Sequence, residues 1–295
     1  MPLKMPIAKL DGVSFDRWLG DARPFALPAP MLDLVECHLV TPAAMIPLTV
    51  LCRHLATQGR RPVLRIGNAE VRGYLNRTGF TNIVRQWTQL DPPVNSLEAG
   101  SYLQFRGRSP VLLEVTQLTT RAALPGLLER VVDLLVRKMA FPQPDAFDMA
   151  TTISELCQNT FDHATNHCGF VAMQLYHQGE RPFVELAVGD GGDGLQATLS
   201  RNPRHHDLRS DRIAIRRATQ AGTSQFEDPT RGTGLYHLLR IGRKHGACIQ
   251  IRTGVAKIRY RLDTGQHSEL TVPWMPGVQV SLTVNAKLPT SPPRA

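Results

Sequence analysis

Two apolar runs, GFVAMQLYHQ from Gly169 and RPFVELAVG from Arg181, are joined by no more than a GERP connector. Strands this close in sequence pair as a hairpin, so the middle of the chain is expected to form an antiparallel pair. The segments around it extend that layer. SPVLLEVTQL reads as a strand, ALPGLLERVVDLLVRKMA as an amphipathic helix, and 148–164 as a further helix. After a long polar stretch, GLYHLLRIGRKHG is helical, and CIQIRTG, KIRYRLDTG and GVQVSLTVNA alternate as antiparallel strands.

The first hundred residues have a different rhythm. LDLVECHLV at 32–40 reads as one buried strand, followed by a helix whose regular part is expected from Pro47, and PVLRIG at 62–67 is a short strand. AEVRGYLNRTGF is a second amphipathic helix closed by Gly79. Short βα units of this kind predict a small α/β layer. DPPVNSLEAGS at 91–101 is dense in turn formers and marks a linker, which divides the chain into units at 1–97 and 98–295.

Three motifs carry chemistry. In ISELCQNTFDHA, Glu155, Asn159 and His163 recur every fourth residue, which places a carboxylate, an amide and an imidazole along one stripe of a helix. In VELAVGDGGDGL, a strand runs directly into Asp190, followed by Gly192 and Gly194. An Asp ending a buried strand needs a partner, and an adenine amino group is a good one; the glycines let backbone approach a ligand closely. In TRGTGLYHLLR, Gly232 and Gly234 flank Thr233 at a helix start, where free N–H groups favour phosphate oxygens and Arg231 adds a positive charge.

In this order, with the polar stretch between the second and third, the motifs resemble the N, G1 and G2 boxes of the GHKL superfamily of gyrase, histidine-kinase and MutL ATPases. The resemblance covers roughly residues 110–286. It implies a two-layer α/β sandwich with a mixed, mostly antiparallel sheet, a mobile ATP lid at about 196–231, and ATP with Mg2+ as cofactors. By the same resemblance Glu155 would activate or position the attacking group, Asn159 would ligate magnesium, and His163 would lie near the phosphates. Asp190 would read adenine, Gly192 and Gly194 would lie beside the nucleotide, and Arg231, Gly232, Thr233, Gly234 and Leu235 would form the triphosphate turn.

The N-terminal order is similar to a STAS domain, the anti-sigma-antagonist fold. The pairing looks closest to anti-sigma serine kinases and implies a serine/threonine protein kinase or slow ATPase in partner-switching signalling, with a STAS-type or other regulatory protein as partner and a homodimer possible. No serine stands where STAS domains carry their phosphoacceptor; Thr41 is the hydroxyl there, and the unit is expected to serve docking or dimerisation rather than accept phosphate. The alternatives are an ATP-gated interaction module without turnover and a nucleic-acid-binding protein.

Composition narrows these options. At 295 residues, 42% hydrophobic and 20% charged, the chain has material for two cores. No run approaches the roughly 20 apolar residues of a membrane span, and the opening residues lack a signal-peptide core, so a cytoplasmic protein is expected. Five scattered cysteines without a C-x-x-C pair argue against disulfides and structural zinc. His163 and His167 could crowd a divalent ion, but Asn166 and Gly169 point to the helix ending there. The net charge of +9 raises nucleic acid as a partner, yet the arginines are spread without a basic run.

Overall fold

The computed structural model describes residues 3–4, 8–93, 111–163, 168–178, 181–223 and 234–285. The fold is mixed α/β. The N-terminal unit holds a parallel sheet of β1 (Leu3–Lys4), β3 (Met31–Asp33), β5 (Val63–Arg65) and β6 (Gln89–Asp91), adjacent in that order, and a small parallel pair of β2 (Lys9–Leu10) with β4 (Leu39–Val40). Its helices are α1 (Gly12–Ala22), α2 (Pro42–Thr57), α3 (Ala69–Arg77) and α4 (Phe80–Val84).

The expected single strand at 32–40 is two. Asp33 Oδ1 accepts from the Val35 amide at 2.9 Å, and this side-chain turn ends β3. Helix α2 starts at Pro42 and runs through Pro47, earlier than the proline implied. Proline costs an interior hydrogen bond, but α2 is buried along nearly all of Pro42–Leu55, and packing overrides propensity.

The C-terminal unit is a five-stranded antiparallel sheet in the order β10-β11-β9-β8-β7, built from β7 (Val111–Leu118), β8 (Gly169–Gln178), β9 (Arg181–Asp190), β10 (Cys248–Arg261) and β11 (Gln266–Asn285). The β8–β9 pair is the hairpin expected from sequence. The three C-terminal strands expected are two long ones, with register shifts around Gly254. On one face lie α5 (Leu124–Met139), α6 (Gln143–His163) and α9 (Gly234–Lys244), which share a core with Val171, Met173, Val184, Leu186 and Val188 of the sheet. Helix α6 begins at Gln143, because Pro144 falls in its first turn, where proline is tolerated.

The opposite face is covered as well. Phe170, Ala172, Ala187 and Met275 of this sheet share the second core with Phe15, Ile46, Leu48 and Leu51 of α1 and α2. The antiparallel sheet therefore lies between helices of both units, a third layer that the two-layer expectation lacked. Polar ties cross the same contact. Ala43 N donates to Glu185 Oε1 at 2.7 Å, and Tyr74 Oη meets Tyr176 Oη at 3.0 Å. Asp16 of α1 accepts from Arg252 Nε at 3.0 Å and pairs with Lys257, both from β10. At the far edge of the sheet, Val115 N donates to Thr78 O at 2.7 Å, so β7 does not present a bare edge there. The boundary expected at 97/98 and most of the 91–101 linker lie outside the described residues.

Among the described residues no helix is long and apolar enough to cross a membrane. All five cysteines are free thiols, and four of them are buried.

Candidate functional site

Side chains alternate across β9, and that alternation divides its functional groups. Val184, Leu186 and Val188 face the α5–α6–α9 layer, whereas Glu185 and Gly189 face α2. Asp190 continues the first set. Its strand partner Gly169 packs against Thr160 of α6 so closely that a Cβ on Gly169 would overlap the threonine side chain. Through this pairing the strand end that carries Asp190 lies beside Gly169, whose neighbour Thr160 follows Asn159 in α6.

Asp190 is 5% exposed. Oδ1 accepts from the Gly192 amide at 2.8 Å, and the Val278 amide also donates to the carboxylate. These bonds favour the ionised form, but burial outweighs them and pushes its pKa up to about 7. Gly277, at φ +71°, lies against the Asp190 carbonyl and carboxylate, where any Cβ would clash. Gln279 Nε2 donates to the Asp190 carbonyl at 3.0 Å, and Ile46 and Val50 of α2 press on Gly189 and Gly191 from behind. A buried carboxylate so tightly framed is costly unless a ligand or a proton compensates it.

Glu155 lies at the contact of α6 with α9. A Cβ on Gly234 would be 3.1 Å from both Glu155 Cβ and Oε2, and 3.5 Å from Asn159 Nδ2. Glycine at 234 thus lets the first turn of α9 close on Glu155 and Asn159. Oε1 pairs with His237 Nδ1 at 3.3 Å. Oε2 is enclosed and takes no hydrogen bond. One carboxylate oxygen is oriented by an imidazole and the other retains its full accepting capacity.

The remaining expected residues divide. Gly192 spends its amide on Asp190, and Gly194, at φ +83°, turns the chain into α7 (Gly194–Leu199) against Thr253. Leu235 is 7% exposed and joins the core, so it packs the helix rather than facing a ligand. His163 ends α6, and Arg231, Gly232 and Thr233 lie outside the described residues. Much of the expected lid is neither loose nor aperiodic. α7, α8 (Asp211–Ala218) and the segment between them bury Leu195, Leu199, Leu208, Ala214, Ile215 and Ala218 in the core. Asp211 Oδ2 accepts from Val255 N at 3.0 Å, and Arg216 forks onto Glu269 with both contacts at 2.7 Å. Residues 224–231 of that segment are outside the described ones.

Sequence reasoning missed His237 and Gly277. A histidine one turn after Gly234 was visible, but its carboxylate partner comes from 82 residues away. Gly277 is needed only because β11 brings it against Asp190.

Thr41 stands on the wrong side of the sheet for this site. It is 2% exposed, lies beside Glu185 at the start of α2, and is on the face opposite Asp190. Among the described residues no group of three or more His, Cys, Asp and Glu side chains is arranged to hold a metal, and magnesium held largely by phosphate and water does not require one. The chain matches no protein-family model and no curated protein.

Proposed function

We propose that the chain is a Mg-ATP-binding regulatory protein with a GHKL-type site at α6, the Asp190 turn and the start of α9, joined to a STAS-like N-terminal unit. The observation that carries this reading is the closure of Gly234 on Glu155 and Asn159, with the buried Asp190 carboxylate on the same side of the sheet. The residues suit the ligand. Asp190 is a buried acceptor that an adenine amino group would satisfy, and Asn159 offers magnesium a single oxygen beside the carboxylate.

In this mechanism Asp190 fixes the base and the framed β9 turn fixes Asp190. His237 holds Oε1 of Glu155, which leaves Oε2 to take the proton of an attacking hydroxyl or water. Bound Mg-ATP supplies the phosphoryl group and the metal charge that offsets its oxygens. The packing of α5, α6 and α9 keeps the base oriented and partly screened from solvent. The second reading, an ATP-gated module without turnover, keeps the same pocket and differs only in what Glu155 does.

Calorimetric titration of Mg-ATP into the wild type and Asp190→Asn tests the pocket. Micromolar binding that collapses in the variant is expected, and no binding to the wild type would overturn the reading. Phosphate release by the wild type but not by Glu155→Gln then separates catalysis from gating.

A further inference from the structure

Strand register sets Arg252 of β10, Gln279 of β11 and Gly189 of β9 in one row across the sheet, and Arg252 and Gln279 are 3% and 6% exposed. Arg252 Nε donates to Asp16 Oδ1 of α1 at 3.0 Å, Nη2 donates to the Pro273 carbonyl, and Nη1 reaches Gln279 Oε1 at 3.4 Å. Gln279 Nε2 in turn donates to the Asp190 carbonyl at 3.0 Å and to the Pro276 carbonyl at 2.8 Å. We propose that Arg252 and Gln279 are positioning residues that hold the Asp190 turn in place for the base, and so set the preference for adenine over a 6-oxo purine. The base-recognition step rests on the reading of Asp190 given above; the positioning step does not.

The ladder between β9 and β11 ends at the pair Gly189–Gln279. One residue further, the Gln279 side chain crosses to the Asp190 carbonyl. It can do so because residue 189 is glycine: a Cβ there would lie 3.0 Å from Gln279 Cγ and 2.8 Å from Ile46 Cγ2. Arg252 grips the same segment at its other end. Pro273 belongs to a bulge in β11, where residues 272–274 stand opposite Val255 alone. From that bulge β11 runs through Gly277 and Val278, which meet the Asp190 carbonyl and carboxylate. The guanidinium thus ties both ends of the 273–279 segment that cradles Asp190, a task for a planar fork of donors rather than a single ammonium. Arg252 is itself fixed by Asp16 of the N-terminal unit. Lys257, the other cation on Asp16, serves a different end: among the described residues its hydrogen bonds go to Asp16 and the Gly12 carbonyl.

The consequence falls on recognition. The 6-amino group of adenine donates to an ionised Asp190, whereas the 6-oxo group of ITP sets an acceptor against the same carboxylate and leaves it unsatisfied. Such discrimination holds only while the carboxylate stays within about 0.5 Å of its place. The phosphates bind elsewhere in the proposed site and tolerate that shift. A loosened turn therefore loses the choice of base before it loses the nucleotide.

Hydrogen exchange and nucleotide calorimetry on the full chain test the two steps separately. Gln279→Glu still accepts from Arg252 but cannot donate to Asp190, and Arg252→Lys keeps a charge beside Asp16 but loses the fork. Lys257→Met is the comparison, because it disturbs the same buried cluster away from Pro273 and Gln279. Without nucleotide, exchange over 188–195 should quicken about tenfold relative to the β8 segment 171–176 in the first two variants, and not in Lys257→Met. No relative change in the first two, or the same change in Lys257→Met, would overturn the positioning proposal. The wild type should bind Mg-ATP at least about tenfold more tightly than Mg-ITP, and that ratio should fall about five- to tenfold in Gln279→Glu and Arg252→Lys while Lys257→Met keeps it. Equal loss of affinity for both nucleotides in those two variants overturns the base-recognition step and leaves positioning to the exchange result. A wild type that binds both nucleotides alike, or neither, overturns the reading of Asp190 itself, and exchange alone then decides whether Arg252 and Gln279 hold the turn.

Discussion

The Ala43 amide, in the first turn of α2, donates to Glu185 Oε1 at 2.7 Å across 142 residues of sequence. This bond joins the N-terminal unit to the back of the sheet whose front carries Asp190. It also occupies the helix N-terminus at which a STAS-like domain would present its acceptor hydroxyl, with Thr41 enclosed beside it. Phosphopeptide mass spectrometry after incubation with Mg-ATP should accordingly find Thr41 unmodified; stoichiometric phosphate there would refute the packing described.

Burial raises the pKa of Glu185, so its contribution to stability is whole below the ordinary carboxylate range and is lost as pH rises through the folded value. Glu185→Gln keeps an acceptor for Ala43 without the buried charge, and urea denaturation at neutral pH should show it equal to or more stable than wild type. Glu185→Ala strands the amide and should cost about 1–3 kcal/mol.

Asp190 behaves in the same sense. Its pKa is raised from 3.8 to about 7, so the stability it contributes is present below pH about 4 and is lost as pH rises through about 7, on the order of a few kcal/mol in all. Asp190→Asn should flatten that slope. In the proposed site the ionised carboxylate accepts from adenine, so Mg-ATP affinity of the wild type should climb between pH 6 and 8, by roughly tenfold per unit at most. A flat affinity profile would show that Asp190 does not titrate in the free protein.

Gly234→Ala replaces a glycine at the start of α9 with a better helix former, yet places a methyl 3.1 Å from Glu155. Thermal stability should hold or rise slightly while phosphate release falls by about tenfold or more. Paired loss of both would mean that 234 is only a packing position.

His237→Ala releases Oε1 of Glu155. Turnover should drop roughly ten- to a hundredfold with little change in KM for ATP, since in the proposed mechanism the interaction serves the reacting group and not binding. Asn can offer a similar donor, and His237→Asn should recover much of the loss.

Asp16 offsets two buried cations, Arg252 and Lys257, whose pKa values burial depresses. Asp16→Ala leaves them uncompensated at the contact between the units and should cost about 3–5 kcal/mol in urea titration. Because the same contact holds a shared core, the chain should unfold in a single transition; two separated transitions would show units that fold independently.

The sequence by itself determined the local grammar. The GERP hairpin, the stripe of Glu155 and Asn159 on one helix, the strand that ends in Asp190 and the helix that starts at Gly234 could all be read from period, turn residues and glycine placement, because each depends on neighbours within a few positions. Only the tertiary structure decided the rest. Whether Pro47 breaks a helix depended on α2 being buried on nearly every side, and whether 194–223 is a loop depended on Leu199 and Ile215 finding a core. That α2 covers the back of the sheet, that His237 reaches Glu155 and that Gly277 makes room for Asp190 are contacts between residues 82 or more positions apart. No periodicity encodes such pairings. They arise when apolar faces on separate elements are removed from water together, and the polar groups carried in with them must then find whichever partners the packing supplies.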